Sequence, residues 1–190
     1  MDLSLLYRER NIYSTISVAI DKLTPVHLTE WSISQLDHDS LDNSRRVDFW
    51  CLFKDGKQGK PLNFFIEVKK GWYCLNQASN ESLHCVVEKS FSSLIDQIKT
   101  IKATRQHWGE FNDAYLGVFV IEGYYSDGKE YYDETYIIKN LKSIMKSSNL
   151  DGHLLLFTWF LPEHVNVQWE KNKCRFITIA CIVQQNTYEK

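Results

Sequence analysis

At 190 residues the chain is long enough for one domain with a sizeable core, and hydrophobic residues make up 44% of it. The net charge of −2 excludes a general attraction to nucleic acid, so any polyanion must bind at a local basic patch. The five cysteines include no C-x-x-C pair, so we expect no zinc site. Charged residues near the start of the chain argue against a signal peptide, and no apolar run approaches the roughly 20 residues of a membrane span. We therefore expect a cytoplasmic protein.

Hydrophobic periodicity divides the chain into alternating groups of helices and strands. The predicted elements, in chain order, are a helix at 3–23, a strand at 26–34, two hairpin arms at 46–53 and 62–69, a helix at 87–107, a strand at 114–123, a helix at 131–147, and strands at 153–161 and 174–183. The runs at 114–123 and 153–161 are almost wholly apolar, which is typical of strands buried on both faces. This order predicts an α/β fold with a mixed sheet and helices on both of its faces.

The helical stripe of the first helix comprises Leu5, Ile12, Ile16, Ala19 and Leu23, which are spaced by three, four or seven residues. Glu9 occupies a place on this stripe where an apolar residue belongs. A carboxylate that faces the sheet needs a partner. The alternative is an acid of a frayed first turn that pairs with a neighbouring arginine.

Two acids stand out in the predicted hairpin, because Asp48 begins its first arm and Glu67 ends its second. Hairpin arms run antiparallel, so the start of one arm lies beside the end of the other. Glu67 and Lys69 are two positions apart on a strand and therefore leave the same face, whereas Lys70 points to the other face. The sequence thus predicts two acids and one ammonium at one edge of the sheet.

Two carboxylates at close range repel each other, which raises their pKa values, and a divalent cation resolves that conflict. Oxygen ligands of this kind suit Mg²⁺, with Mn²⁺ as a second choice. Lys69 would then hold and help to deprotonate an attacking water that the metal activates, and would offset charge that grows on a phosphoryl group. An E-x-K triplet at a strand end is also typical of a solvated edge, so the triplet alone does not establish a site.

The second predicted helix turns from apolar to basic at its far end while it still faces inward. Lys102 and Arg105 continue its apolar face, and Gln97 lies on the flank of that face. These three residues could bind a phosphate backbone near the metal. The alternatives are basic side chains that extend to solvent at a helix end and a polar residue at the boundary of the core.

The chain carries, in order, a helix acid, an acid at the start of a hairpin, an E-x-K triplet and a glutamine on the next helix: Glu9, Asp48, Glu67–Lys69 and Gln97. This order resembles the PD-(D/E)xK nuclease superfamily, the restriction-endonuclease-like nucleases. The resemblance covers residues 5–122 and implies an αβββαβ core with Mg²⁺-dependent hydrolysis of phosphodiester bonds. The proline that gives the motif its first letter is absent, since Val47 stands in its place.

The resemblance also implies a role for each matching residue. Asp48, Glu67 and the carbonyl of Val68 would hold the metal, Lys69 would be the catalytic lysine, and Glu9 would be the acid that the first helix contributes. Gln97 matches a glutamine often found on the following helix.

We therefore expect one domain over residues 1–190, with the nuclease-like core followed by a C-terminal extension at 123–190. The expected function is a metal-dependent nuclease, an endonuclease that acts on DNA rather than RNA, in restriction, defence or DNA repair. A homodimer or a protein partner would supply the basic surface that the net charge lacks. The alternative is a catalytically silent module of the same fold that binds nucleic acid or regulates a partner, and the intact Asp48, Glu67 and Lys69 count against it.

Overall fold

The computed structural model describes residues 9–33, 45–54, 59–74, 80–104, 111–126, 134–147, 152–162, 168–169 and 172–186. Within these ranges the helices are α1 (Glu9–Asp21), α2 (Asn80–Thr104) and α3 (Glu134–Ser147). The strands are β1 (His27–Ile33), β2 (Arg45–Phe53), β3 (Leu62–Cys74), β4 (Asn112–Ser126), β5 (His153–Phe160), β6 (Gln168–Trp169) and β7 (Asn172–Asn186). None of the helices in these ranges has the length and apolar character needed to cross a membrane.

The strands form one mixed sheet in the order β1-β2-β3-β4-β7-β5, and the short β6 pairs with β7. β3 and β4 are parallel, and the other neighbouring strands are antiparallel. A parallel pair needs a long crossover, which α2 provides between β3 and β4. The prediction of a mixed α/β sheet is confirmed.

α2 covers one face of the sheet, where it packs against β3 and β4. Its buried residues Phe91, Leu94 and Ile98 meet Phe65 of β3 and Phe119 of β4 in one hydrophobic cluster. Leu141 of α3 belongs to the same cluster, so both long helices of this face share one core. We call this side of the sheet the α2 face.

α1 covers the opposite face, which we call the α1 face, and it packs against β1 and β3. Ile12 and Ile20 are buried there with Phe49 and Ile66. The apolar stripe predicted to face the sheet is correct for Ile12 and Ile16, but it is wrong at the C-terminal end of the helix. Ala19 and Leu23 are exposed, because the buried row continues through Ile20 and the helix ends at Asp21.

β4 and β5 differ in burial although both sequences are strongly apolar. β4 is buried on both faces as predicted, since its side chains contribute to the hydrophobic clusters on both sides of the sheet. The prediction of a doubly buried β5 is wrong: exposed residues alternate with partly buried ones along the strand. β7 lies between β4 and β5, which leaves β5 at the edge of the sheet with Leu155, Phe157 and Trp159 about half exposed.

A buried ion pair lies on the α1 face, where Lys70 Nζ is 2.5 Å from Glu122 Oε1. The side chains of Lys70 and Glu122 are only 7% and 1% exposed. Tyr124 donates its hydroxyl to the other oxygen of Glu122 at 2.6 Å. Burial raises the pKa of Glu122, and the ammonium and the hydroxyl oppose that shift. Lys70 is thus a partner of Glu122 on the opposite face from Glu67 and Lys69.

Replacing Lys70 by Met should destabilise the protein by about 3–5 kcal/mol, because it leaves the Glu122 carboxylate buried without its cation. The double variant Lys70→Met/Glu122→Met should recover most of that loss, since it removes both charges. Urea unfolding measures both free energies, and Lys89→Met, at an exposed position of α2, is the control. A Lys70→Met protein as stable as the unchanged protein would contradict the role of the pair.

Candidate active site where the β2–β3 ladder ends

The first candidate residue, Asp48, lies at the end of the ladder between β2 and β3. The last paired residues are Phe49 and Ile66, and the same register places Asp48 opposite Glu67. The amide of Val68 donates instead to Asp48 Oδ2 at 2.8 Å. The carboxylate of Asp48 therefore takes the place of a backbone acceptor and lies beside the peptide that joins Glu67 to Val68.

Tyr13 of α1 holds the second oxygen of the same carboxylate. Its hydroxyl donates to Asp48 Oδ1 at 2.5 Å, and its ring packs edge-on against Phe49 with centroids 5.2 Å apart. Both oxygens of Asp48 thus have donors, one from α1 and one from β3, which fixes the orientation of the carboxylate. Sequence reasoning missed Tyr13. The available signal was its spacing, because it lies one helical turn after Glu9 on the same side of α1.

Glu67 is buried, with 4% of its surface exposed. Burial first, and the negative charge of Asp48 second, raise the pKa of Glu67 from 4.5 to about 8. Lys69 lowers the pKa of Glu67 in part, so its ammonium is close enough to act on that carboxyl. At neutral pH Glu67 accordingly retains its proton in much of the population.

This donor set fits a hard divalent cation, which would relieve the conflict between the two carboxylates. The Val68 amide lies on the side of β3 that faces Asp48. In an extended strand the N–H and C=O of one residue point to the same side, so we expect the Val68 carbonyl on that side as well. Two carboxylates, of Asp48 and Glu67, and the Val68 carbonyl are thus the candidate ligands. In the part of the chain that the structure describes, no group of three or more His, Cys, Asp or Glu side chains could hold a metal ion.

Two acids outside the hairpin could add to this donor set: Glu9, which the sequence predicts as an assisting ligand, and Glu30 of β1. Glu9 is the first residue of α1, one turn before Tyr13, and its side chain lies outside the described part of the structure. Glu30 is exposed on β1, and its carboxylate pairs with Arg46 at 3.7 Å. The structure thus assembles two of the predicted acids, Asp48 and Glu67.

Gln97 reaches the site from α2. It lines a pocket of about 250 Å³ together with Arg46, Glu67 and Ile101. Its Oε1 atom is buried and has no hydrogen-bond partner among the described residues. A buried acceptor without a donor is costly, so a water or a ligand that donates a hydrogen bond at this point would be favoured.

The other two predicted phosphate-binding residues are Lys102 and Arg105. Lys102 is half-buried and follows Ile101, which lines the pocket. Arg105 lies outside the described residues. Arg46, which the sequence analysis assigned to no role, lines the pocket instead. The available signal was its position on β2, two residues before Asp48.

Comparison of the chain with protein-family models, with curated proteins and with solved structures finds no match. The site therefore has to be interpreted from its own geometry and charge.

The raised pKa of Glu67 predicts how the stability of the metal-free protein depends on pH. The native state holds the proton more tightly than the unfolded state, so this contribution is complete below about pH 4.5 and is lost as the pH rises through about 8. Glutamine is uncharged throughout. The difference in unfolding free energy between Glu67→Gln and the unchanged protein should therefore shift in favour of the variant by more than about 1 kcal/mol as the pH rises from 5 to 8.

Urea unfolding in EDTA at the two pH values measures this difference. Glu88→Gln is the matched control, because Glu88 is exposed on α2. If Glu67→Gln and the unchanged protein show parallel pH profiles, the charge conflict at Glu67 is refuted.

Proposed function

We propose that the protein is a metal-dependent nuclease that hydrolyses phosphodiester bonds, with DNA as the favoured substrate and internal cleavage as the favoured action. The observation that carries this proposal is the meeting of Asp48 and Glu67 where the β2–β3 ladder ends, with Lys69 on the same face as Glu67. Two carboxylates whose charges conflict, beside one ammonium, suit a site for a divalent cation and a phosphoryl group.

The topology supports a restriction-endonuclease-like fold of the PD-(D/E)xK type. The described residues between 9 and 126 form a helix, three strands, a helix and a strand. The first three strands are antiparallel neighbours, and the fourth lies parallel to the third. This is the αβββαβ succession that the resemblance of the sequence implies.

Asp48, Glu67 and the Val68 carbonyl would hold Mg²⁺ or Mn²⁺, and Glu9 would assist from α1. The cation, when bound, would lower the pKa of a water molecule and neutralise charge on the phosphoryl oxygens. Tyr13 and the Val68 amide keep Asp48 in one orientation, so no reorganisation is needed when the substrate arrives. Lys69 would hold the attacking water and offset the negative charge that develops in the transition state.

A catalytically silent module of the same fold is the second candidate function. Both oxygens of Asp48 accept hydrogen bonds from within the protein, as expected of a carboxylate with a purely structural role. Such a protein would bind nucleic acid or a partner without cutting. The buried Glu67, which lies beside Asp48 and carries a raised pKa, favours the nuclease.

We also propose a homodimer and a cytoplasmic location. The edge strand β5 contains no Asp, Glu, Lys or Arg, although exposed edges usually carry charges that prevent pairing. Two antiparallel copies of β5 related by a twofold axis would keep the apolar rows of Leu155, Phe157 and Trp159 on one shared face. A second copy of this chain is therefore the occupant that suits this edge.

The nuclease predicts cleavage that depends on both the metal and Lys69. Plasmid, linear duplex, single-stranded DNA and RNA are each incubated with Mg²⁺, Mn²⁺ or EDTA. We expect cutting of DNA with Mg²⁺ or Mn²⁺, none with EDTA, and a loss of at least about a hundredfold in rate for Lys69→Ala. Lys99→Ala, at an exposed position of α2, is the control and should cut normally. Equal cutting by Lys69→Ala, or no metal-dependent cutting of any substrate, would overturn the proposal.

If the protein is a dimer through β5, placing a charge on that strand should lower the mass of the particle in solution to that of a monomer. Sedimentation should show a dimer for the unchanged protein and a monomer for Phe157→Lys, because a buried ammonium without a partner is costly. Leu28→Lys is the matched control: Leu28 and Phe157 are each 48% exposed, but Leu28 lies on β1 at the other edge of the sheet. A monomer for the unchanged protein, or an intact dimer for Phe157→Lys, would contradict this interface.

A further inference from the structure

Arg46 occupies a distinctive position at the candidate site. It lies on β2, two residues before Asp48, and lines the pocket that also contains Glu67 and Gln97. Its side chain is 71% exposed, so the guanidinium reaches solvent at the mouth of that pocket. Arg46 is also the one basic residue among the described residues that line this pocket.

The partner of Arg46 is a residue with an unusual backbone. Glu30 on β1 has a φ of 49° and is the only non-glycine residue with a positive φ within the described ranges. The register of β1 and β2 places it opposite Asp48, between the pairs Thr29–Phe49 and Trp31–Val47. A left-handed glutamate in a strand is strained, and such strain persists where the surrounding structure demands it, often at functional sites.

The ion pair itself does not explain this strain. Arg46 Nη1 and Glu30 Oε2 are 3.7 Å apart, and the side chains are 71% and 48% exposed. A solvent-exposed pair at that distance contributes little to stability. A phosphate that accepts two parallel hydrogen bonds from the guanidinium binds it more strongly than this carboxylate does. Glu30 is thus a partner that Arg46 can readily exchange.

We infer that Arg46 binds a backbone phosphate of the nucleic-acid strand at the mouth of the Glu67 pocket, and that Glu30 holds the guanidinium there until the phosphate replaces it. This inference rests on the proposed nuclease function. Because Arg46 and Glu67 line the same pocket, the bound phosphate lies next to the reacting one or is the reacting one itself. Gln97 lines the same pocket, and its Oε1 atom is buried without a hydrogen-bond partner among the described residues.

The test measures binding separately from cleavage. Fluorescence anisotropy follows a labelled DNA duplex and a labelled single strand binding to the Lys69→Ala protein in Mg²⁺, over a range of salt concentrations. Adding Arg46→Gln should weaken binding about tenfold and reduce the slope of log affinity against log salt by about one, since one phosphate contact is lost. Arg46→Lys should restore the slope but only part of the affinity, because it keeps the charge without the planar fork.

Glu30→Gln should act in the opposite direction and tighten binding, since it removes the carboxylate that competes with the phosphate. Lys54→Gln is the matched control: Lys54 is an exposed cation just after β2, at the opposite end of that strand, and its loss should leave binding unchanged. Because Arg46 is largely exposed, its variants should unfold at the same urea concentration as the parent protein, which the same samples can verify.

The outcomes separate the two proposals. If the parent protein binds DNA and Arg46→Gln binds with the same affinity and the same salt slope, the role of Arg46 is overturned and the proposed nuclease stands. If neither nucleic acid binds to the parent protein, both proposals are overturned. A weakened affinity with a reduced slope for Arg46→Gln, with Lys54→Gln unchanged, supports the phosphate contact.

Discussion

The hydrogen bond from the Val68 amide to Asp48 is the interaction on which the candidate site depends. Asp48 stands between Val47 and Phe49, both fully buried, so its carboxylate needs donors. One is a backbone amide of β3 and the other is the hydroxyl of Tyr13. The first ties β2 to β3 beyond the end of their ladder, and the second ties both strands to α1. The position of Glu67 beside Asp48 follows from the same tie.

Side chains alternate along β3, so Lys70 lies on the α1 face whereas Glu67 and Lys69 lie on the α2 face. The charged groups have different surroundings on the two faces. On the α1 face, Lys70 pairs with Glu122, and Tyr124 donates a hydrogen bond to the other oxygen of that carboxylate. On the α2 face, Glu67 is buried beside another carboxylate, and Lys69 only partly offsets the resulting rise in its pKa. The first cluster contains its own counter-charge. In the second, two carboxylates lie side by side and a bound cation would relieve their repulsion, and this difference is the reason to propose chemistry at Glu67 rather than at Lys70.

Residue positions could be predicted from the sequence wherever they depend on the side-chain periodicity of one strand or on the pairing of two hairpin arms. Alternation along one strand, with antiparallel arms, predicts the approach of Asp48 and Glu67 without knowledge of the rest of the fold. The sequence was insufficient where a contact depends on how distant elements are placed. The donor role of Tyr13 depends on the rotation of α1 over the sheet, and the exposure of Phe157 depends on the insertion of β7 next to β4. An apolar run alone cannot distinguish a central strand from an edge strand.

Both ladders of β2 are interrupted at the same residue. The pairing with β3 ends one position after Asp48, and the pairing with β1 skips Asp48, where Glu30 adopts a left-handed conformation. A sheet built for stability alone would continue its pairing here, since each interruption costs hydrogen bonds and Glu30 adds strain. Beside these two interruptions lies the small pocket that Arg46, Glu67 and Gln97 line. Local departures from regular structure that coincide in this way are typical of sites where function, rather than folding, determines the geometry.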